Sequence, residues 1–176
     1  MGKIQFYGAI SLDGYLATMD DNIDWLTDLP NISADVGAKT LAAMSTAILG
    51  RVTYEAIQAM APGSPLNPHN PAMASYVLTS HPRPSQPGYT FTSTDVATLA
   101  TQLAQQPGNV WIVGGSGVLM PLLAANRVDD LFIQIAPVLL GNGKRLFGEL
   151  AQPQDYQLVA THQYGPLAEV VYHRVN

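Results

Sequence analysis

Val110-Trp111-Ile112-Val113-Gly114-Gly115-Ser116-Gly117-Val118 is the stretch on which the fold turns. Val110 to Val113 are four apolar residues between turn signals and read as a buried strand. Gly114-Gly115 ends it, and Ser116 to Ala125 reads as a helix, so strand, glycine turn and helix follow one another without a spacer. Free amides at the start of such a helix, together with its dipole, make an anion site. The missing side chains at Gly114, Gly115 and Gly117 let a pyrophosphate come close to the backbone. A tight turn with no ligand is the bland alternative. Rival motifs fit less well. Met120 stands where the third glycine of a Rossmann pattern belongs, and Val118 replaces the last glycine of a hydrolase elbow around Ser116. Gly143-Lys144 is followed by Arg145, where a Walker loop needs Ser or Thr.

A second junction of the same kind lies upstream. Thr46 to Leu49 reads as a short buried strand, Gly50 ends it, and Arg51 to Met60 is helical. A cation in a first helical turn opposes the dipole, which makes sense if Arg51 accompanies a bound phosphate; a solvated surface arginine is the plain reading. Two phosphate-like strand ends in one chain point to a dinucleotide.

The remaining elements read outward from these two. Ile4 to Ile10 is a first strand, Asp13-Gly14 a turn, and Leu12 to Pro30 a loop anchored by Trp25. Ser33 suits the N-cap of a helix through Ser45. Ala61 to Pro71 is a surface loop. Tyr76 to Thr79 is a strand, Ser80 to Gly88 is rich in proline, and Tyr89 to Phe91 is another short strand. Ser93 or Thr94 caps a helix over Asp95 to Gln105. Asp130 to Ala136 is a strand and Pro137 to Phe147 a long glycine-rich loop or hairpin. Tyr156 to Tyr164 and Ala168 to Val175 flank a Gly165-Pro166 turn and form a hairpin. Early strand–helix alternation and a late hairpin predict an α/β fold with a mostly parallel sheet and an antiparallel edge, in one domain over residues 1–176.

Composition narrows the function. Net charge is −5 with no basic stripe, which argues against nucleic acid. There is no cysteine, so disulfides, a thiolate nucleophile and zinc–sulfur ligation are out, and the four histidines are scattered, so no metal site is expected. No run reaches the length of a membrane span, and the chain reads as a cytoplasmic protein. Charged residues make up only 12%, about half the usual share, a weak sign of a self-association surface. So is Leu131 to Leu140, which stays apolar past Pro137.

Ser11-Leu12-Asp13-Gly14, Gly50-Arg51-x-Thr53-Tyr54-Glu55, Val113-Gly114-Gly115-Ser116-Gly117 and Pro137-Val138-Leu139-Leu140-Gly141-x-Gly143 occur in an order and spacing that resembles the dihydrofolate-reductase-like superfamily. Within it, the chain is most similar to the reductase domain of riboflavin biosynthesis, the RibD C-terminal branch. The resemblance implies a three-layer fold, an NADPH cofactor and hydride transfer to a small heterocyclic or sugar-like substrate. It implies that the main chain at Ala9 and Leu16 brackets the nicotinamide, and that Gly50, Arg51 and Thr53 hold phosphates. Thr79 and Ser80 would lie on the adenosine side, with Val113 and Gly114 to Val118 at the pyrophosphate and a cis peptide between Gly114 and Gly115. Tyr15, Trp25 and Asp35 are the substrate-side candidates, Asp35 matching the acid of folate reductases only with a one-residue gap. The same resemblance implies a homodimer. The alternatives are dihydrofolate reductase activity, a nucleotide-binding module without turnover, or a hydrolase using Ser116.

Overall fold

Strand β1 (Ile4–Ser11) runs up the middle of the molecule. A computed structural model, which describes residues 1–175, arranges around it β2 (Tyr15–Ala17), α1 (Asp24–Thr27), α2 (Ala38–Ala42), β3 (Met44–Gly50) and α3 (Arg51–Met60). There follow β4 (Ala74–Leu78), β5 (Tyr89–Thr92), α4 (Val96–Ala104), β6 (Asn109–Gly114), α5 (Ser116–Ala124) and β7 (Asp130–Ala136). The chain ends with β8 (Lys144–Arg145), β9 (Tyr156–Tyr164) and β10 (Leu167–Arg174). Eight strands form one sheet in the order β5-β4-β3-β6-β1-β7-β10-β9, while β2 and β8 pair separately. All pairings from β5 to β7 are parallel, and β10 joins antiparallel to β7 and β9. This is the mixed α/β architecture the sequence predicts.

Helices cover both sheet faces at its centre, so β3 and β6 carry runs of consecutive buried residues, Thr46–Leu49 and Val110–Ile112, rather than an alternating pattern. Helices α4 and α5 lie on one face over Phe6, Ile48 and Ile112; Leu119 and Leu122 of α5 are fully buried there. Burying each such side chain contributes about 1.5–3 kcal/mol. On the other face, Leu41 of α2 packs with Met44 and Trp111, and Tyr54 of α3 with Leu49, Val77 and Phe91. Among the described residues no helix is long and apolar enough to cross a membrane.

Several local expectations are corrected. The helix predicted over Ser33 to Ser45 is reduced to Ala38–Ala42, and Ser33 caps nothing. Gly37 stands at φ 68°, a left-handed conformation that stops the helix from starting earlier. A Cβ there would lie 1.9 Å from the Tyr7 hydroxyl, so a side chain of β1 sets the boundary. Helix α4 is capped by Asp95, not Ser93 or Thr94: its Oδ2 accepts from the Thr98 amide at 3.0 Å and the Thr98 hydroxyl at 3.1 Å. Leu12 to Pro30 is not all loop, because it contains β2 and α1.

Candidate functional site

β1 pairs with β6 only over Ile4–Phe6, whereas it pairs with β7 from Gln5 to Ser11. Beyond Phe6 the two central strands part, and Gly114 of β6 is in register with Leu49 of β3 instead. The carbonyl of Lys3 accepts from Val110 of β6, and that of Ile4 from Asp129 before β7. Main-chain groups alternate along a strand, so the odd-numbered residues of β1 aim theirs at β6. Those of Ala9 therefore face the gap, without a ladder partner.

A cleft of about 870 Å³ fills this gap at the carboxyl ends of the strands, where open α/β sheets take their ligands. Ala9, Leu16, Gly50, Arg51, Thr53, Thr79, Ser80, Val113, Gly114, Gly115, Ser116, Gly117 and Val118 all line it. The two strand–glycine–helix junctions stand side by side because β3 and β6 are neighbours. A Cβ on Gly50 would touch Val118 at 3.6 Å, and one on Gly115 would touch the Thr53 hydroxyl at 3.6 Å. Neither Gly50 nor Gly115 has a side chain to cap the helix it precedes. The amides that open α3 and those of Ser116 and Gly117 in α5 thus stand together, the Val118 amide being already bonded to the Gly115 carbonyl at 3.0 Å, and this is the donor set an anionic diphosphate needs. Among the described residues no peptide bond is cis, so the Gly114–Gly115 bond is trans. The turn is instead made by Gly115 at φ 83°.

The cations of the cleft carry internal partners. Arg51 Nη1 meets Glu55 Oε2 at 2.7 Å, one helical turn on, and both are exposed. Lys144 Nζ meets Asp21 Oδ1 at 2.5 Å across the mouth. Lys144, Asp21, Asn22, Ile23 and Asp24 line the cleft and were missed from the sequence. Lys144 reaches it because β8 pairs with β2, a two-residue ladder with no periodic signal. Behind this ladder Asp13 ties down the loop after β7. It accepts from the Ser11 hydroxyl at 2.6 Å and from the amides of Leu140 at 3.1 Å and Gly141 at 2.7 Å. The Ser11 hydroxyl and these amides hold its carboxyl down to about 2.

The three substrate-side candidates do not meet in the cleft. Tyr15 is buried and turned away; its hydroxyl accepts from Arg145 at 3.2 Å and the guanidinium lies 4.8 Å over its ring. The β2–β8 pairing, with Tyr15 in register with Arg145, sets the ring against that side chain, while Leu16 and Ala17 line the cleft. Trp25 is half-buried on α1 between the cleft-lining Asp24 and Leu26, and its indole N–H has no partner among the described residues. Asp35 is exposed in the turn before α2 and its charge is felt at Tyr164 of β9.

A family model described as the RibD C-terminal domain matches residues 3–168. The Bacillus subtilis protein YwjB is 32% identical over 174 residues, 98% of either chain. Among solved structures, a protein assigned to riboflavin biosynthesis from Shewanella sp. PV-4 superposes at TM-score 0.84, is 25% identical and is matched over 100% of both chains. Dihydrofolate reductase from Enterococcus faecalis, solved with NADP(H), superposes at TM-score 0.70 with 23% identity, over 99% of this chain and 97% of that one.

Proposed function

Since the chain belongs to the RibD C-terminal domain family, we propose that it is an NADPH-dependent reductase of a small heterocyclic or sugar-like molecule. The observation that carries this is the pair of uncapped helix starts meeting beneath an unpaired stretch of β1. NADPH, when bound, supplies the hydride. Gly114 to Val118 and Thr53 would hold its pyrophosphate with backbone amides and a hydroxyl. Arg51, Thr79 and Ser80 would hold the adenosine end and the extra phosphate. The free main chain of Ala9, facing Leu16 across the cleft, would take the carboxamide of the nicotinamide and fix which face is presented. Orientation and exclusion of water are then the protein's share of the chemistry.

The substrate enters beside Ala9, on a C=N or C=O group able to accept hydride. Dihydrofolate is one candidate. A nucleotide-binding module without turnover is the second reading, favoured by Asp35, which is exposed and is not among the residues that line the cleft. NADPH titration followed by oxidation assays against pterins and aminopyrimidine ribosides separates the two. Oxidation with any of them makes the chain an enzyme, whereas tight NADPH binding with no oxidation leaves the binding module. Failure to bind NADPH overturns both.

A further inference from the structure

A second cavity, of about 480 Å³, shares no residue with the cleft. It lies where β4 and β5 begin, at the ends of those strands farther from the cleft, and its volume is that of an ordinary small-molecule site. Ser75 of β4 and Tyr89 of β5 are in register at its floor and are 2% and 9% exposed. Gln58 of α3 stands against them.

The walls are tied down on both sides. Asn67, 1% exposed, donates from Nδ2 to the Leu41 carbonyl at 2.8 Å, and Asn70 Nδ2 donates to that of Met44 at 2.9 Å. The loop after α3 is thereby fastened to α2 and β3. Opposite it, Gln86 and Tyr89 exchange backbone hydrogen bonds at 2.9 and 2.8 Å, and the Ser75 amide donates to the Gly88 carbonyl at 2.9 Å. The Tyr54 hydroxyl donates to Gln86 Oε1 at 2.6 Å. A cavity held in this way binds without having to order its walls first.

Its chemistry is selective. No charged side chain lines it, and Pro65, Leu66, Pro71, Met73 and Pro87 make its sides apolar. An ion would lose its hydration there with no opposite charge to meet it. Gln58 Nε2 donates to the Tyr89 oxygen at 3.4 Å. This leaves the Tyr89 proton and Gln58 Oε1 as neighbours, each without a partner among the described residues. Burial, with Tyr54 beside it, pushes the Tyr89 phenol above its ordinary range, so it stays a donor. A free donor next to a free acceptor is the complement of a C=O next to an N–H.

We propose that this cavity is a second small-molecule site that takes an uncharged, flat lactam ring, with Tyr89 donating to its C=O, Gln58 accepting from its N–H, and the prolines and Met73 against its faces. None of these residues is assigned to the cofactor, so the site stands or falls apart from the reductase reading.

Carbostyril, an uncharged two-ring lactam, is the probe, titrated into the full chain labelled with heavy nitrogen. The side-chain amide resonances of Gln58 and Gln86 and the backbone amides of Ser75 and Tyr89 are expected to shift together with one dissociation constant. N-methylcarbostyril, which lacks the N–H, binds about five- to tenfold more weakly, the worth of one hydrogen bond. Tyr89→Phe and Gln58→Met weaken carbostyril binding by a similar factor. Shifts confined to the cleft amides Gly114 to Val118, no shift at all, equal affinity for the two probes, or unchanged affinity in a folded Tyr89→Phe overturns the proposal. The comparison of the two probes uses the unmutated protein and decides the matter even if neither variant folds.

Discussion

Arg51 begins α3 with its guanidinium on Glu55, and this internal pair bears on the choice of cofactor. An exposed i, i+4 pair is worth only about 0.3–0.5 kcal/mol, whereas a guanidinium on phosphate gains roughly 1.5–3 kcal/mol. A 2′-phosphate therefore outbids Glu55, and NADPH is expected to bind roughly ten- to a hundredfold tighter than NADH. Arg51→Ala erases most of that preference and Glu55→Gln leaves it intact or raises it; equal affinities in the unmutated protein, by fluorescence titration, would exclude the assignment. Gly115 is the other residue on which binding hinges. At φ 83° an alanine costs about 1–2 kcal/mol of stability. Its Cβ meets nothing closer than Thr53 at 3.6 Å, so the fold survives. In the turn that feeds α5 the added methyl stands where a pyrophosphate approaches the backbone. Gly115→Ala is expected to lower the melting temperature modestly and to abolish most NADPH binding; equal losses in both would make the glycine merely a turn former.

At the scale of elements, what was legible in the sequence depended on where the deciding contact lies. The junctions β3–α3 and β6–α5 were readable because every cue is local: a short apolar run, a glycine, then a helix-forming stretch. β7 was readable as Asp130 to Ala136 for the same reason. The start of α2 was not, since Tyr7, thirty residues upstream, occupies the space beside Gly37. Nor was the second cavity, whose Gln58, Ser75 and Tyr89 come from three elements and meet only in the fold. Tyr15 was misplaced because its partner Arg145 lies 130 residues on and meets it only through the β2–β8 pairing. The clasp of Asp13 on the loop after β7 makes a prediction of its own. Its carboxyl is held down to about 2, so its contribution is present above the ordinary carboxylate range and is lost as pH falls through about 2. The Leu140 and Gly141 amide resonances are expected to move together with that midpoint. Movement near 4 instead would mean that Asp13 does not hold them. Asp13→Asn, which turns an NH2 toward one of the two amides, is expected to release that one at neutral pH.

The molecule as a whole exposes 9233 Å², against about 8,300 Å² for a monomer of its mass by the usual scaling. Part of that excess is the cleft, but part is apolar surface with nothing over it. Leu139 is 70% and Leu12 60% exposed, and the two are neighbours, since the Leu12 amide donates to the Val138 carbonyl at 2.8 Å. Asp13 fastens the same segment from below, so these leucines sit on an ordered platform, not on a loose loop. With charged residues at 12% of the chain, little else on the surface would discourage association. We therefore propose a symmetric dimer through Val138 to Leu140, the commonest closed arrangement. A stable pair buries about 800 Å² on each partner, so neighbouring surface must join these residues. A competing surface exists at β9, an unpaired nine-residue edge with Leu158 and Val159 exposed, and such edges invite pairing. Light scattering distinguishes the cases. A mass of two chains that falls to one in Leu139→Asp, and stays at two in Val159→Asp, supports the platform. The reverse pattern moves the interface to the β9 edge. A mass of one chain in the unmutated protein at micromolar concentration removes the dimer and leaves Leu12 and Leu139 as simple exposed side chains. Because Leu12 and Asp13 lead directly into the Leu16 wall of the cleft, dimer loss in Leu139→Asp is expected to weaken NADPH binding severalfold, whereas a platform uncoupled from the cleft would leave that affinity unchanged.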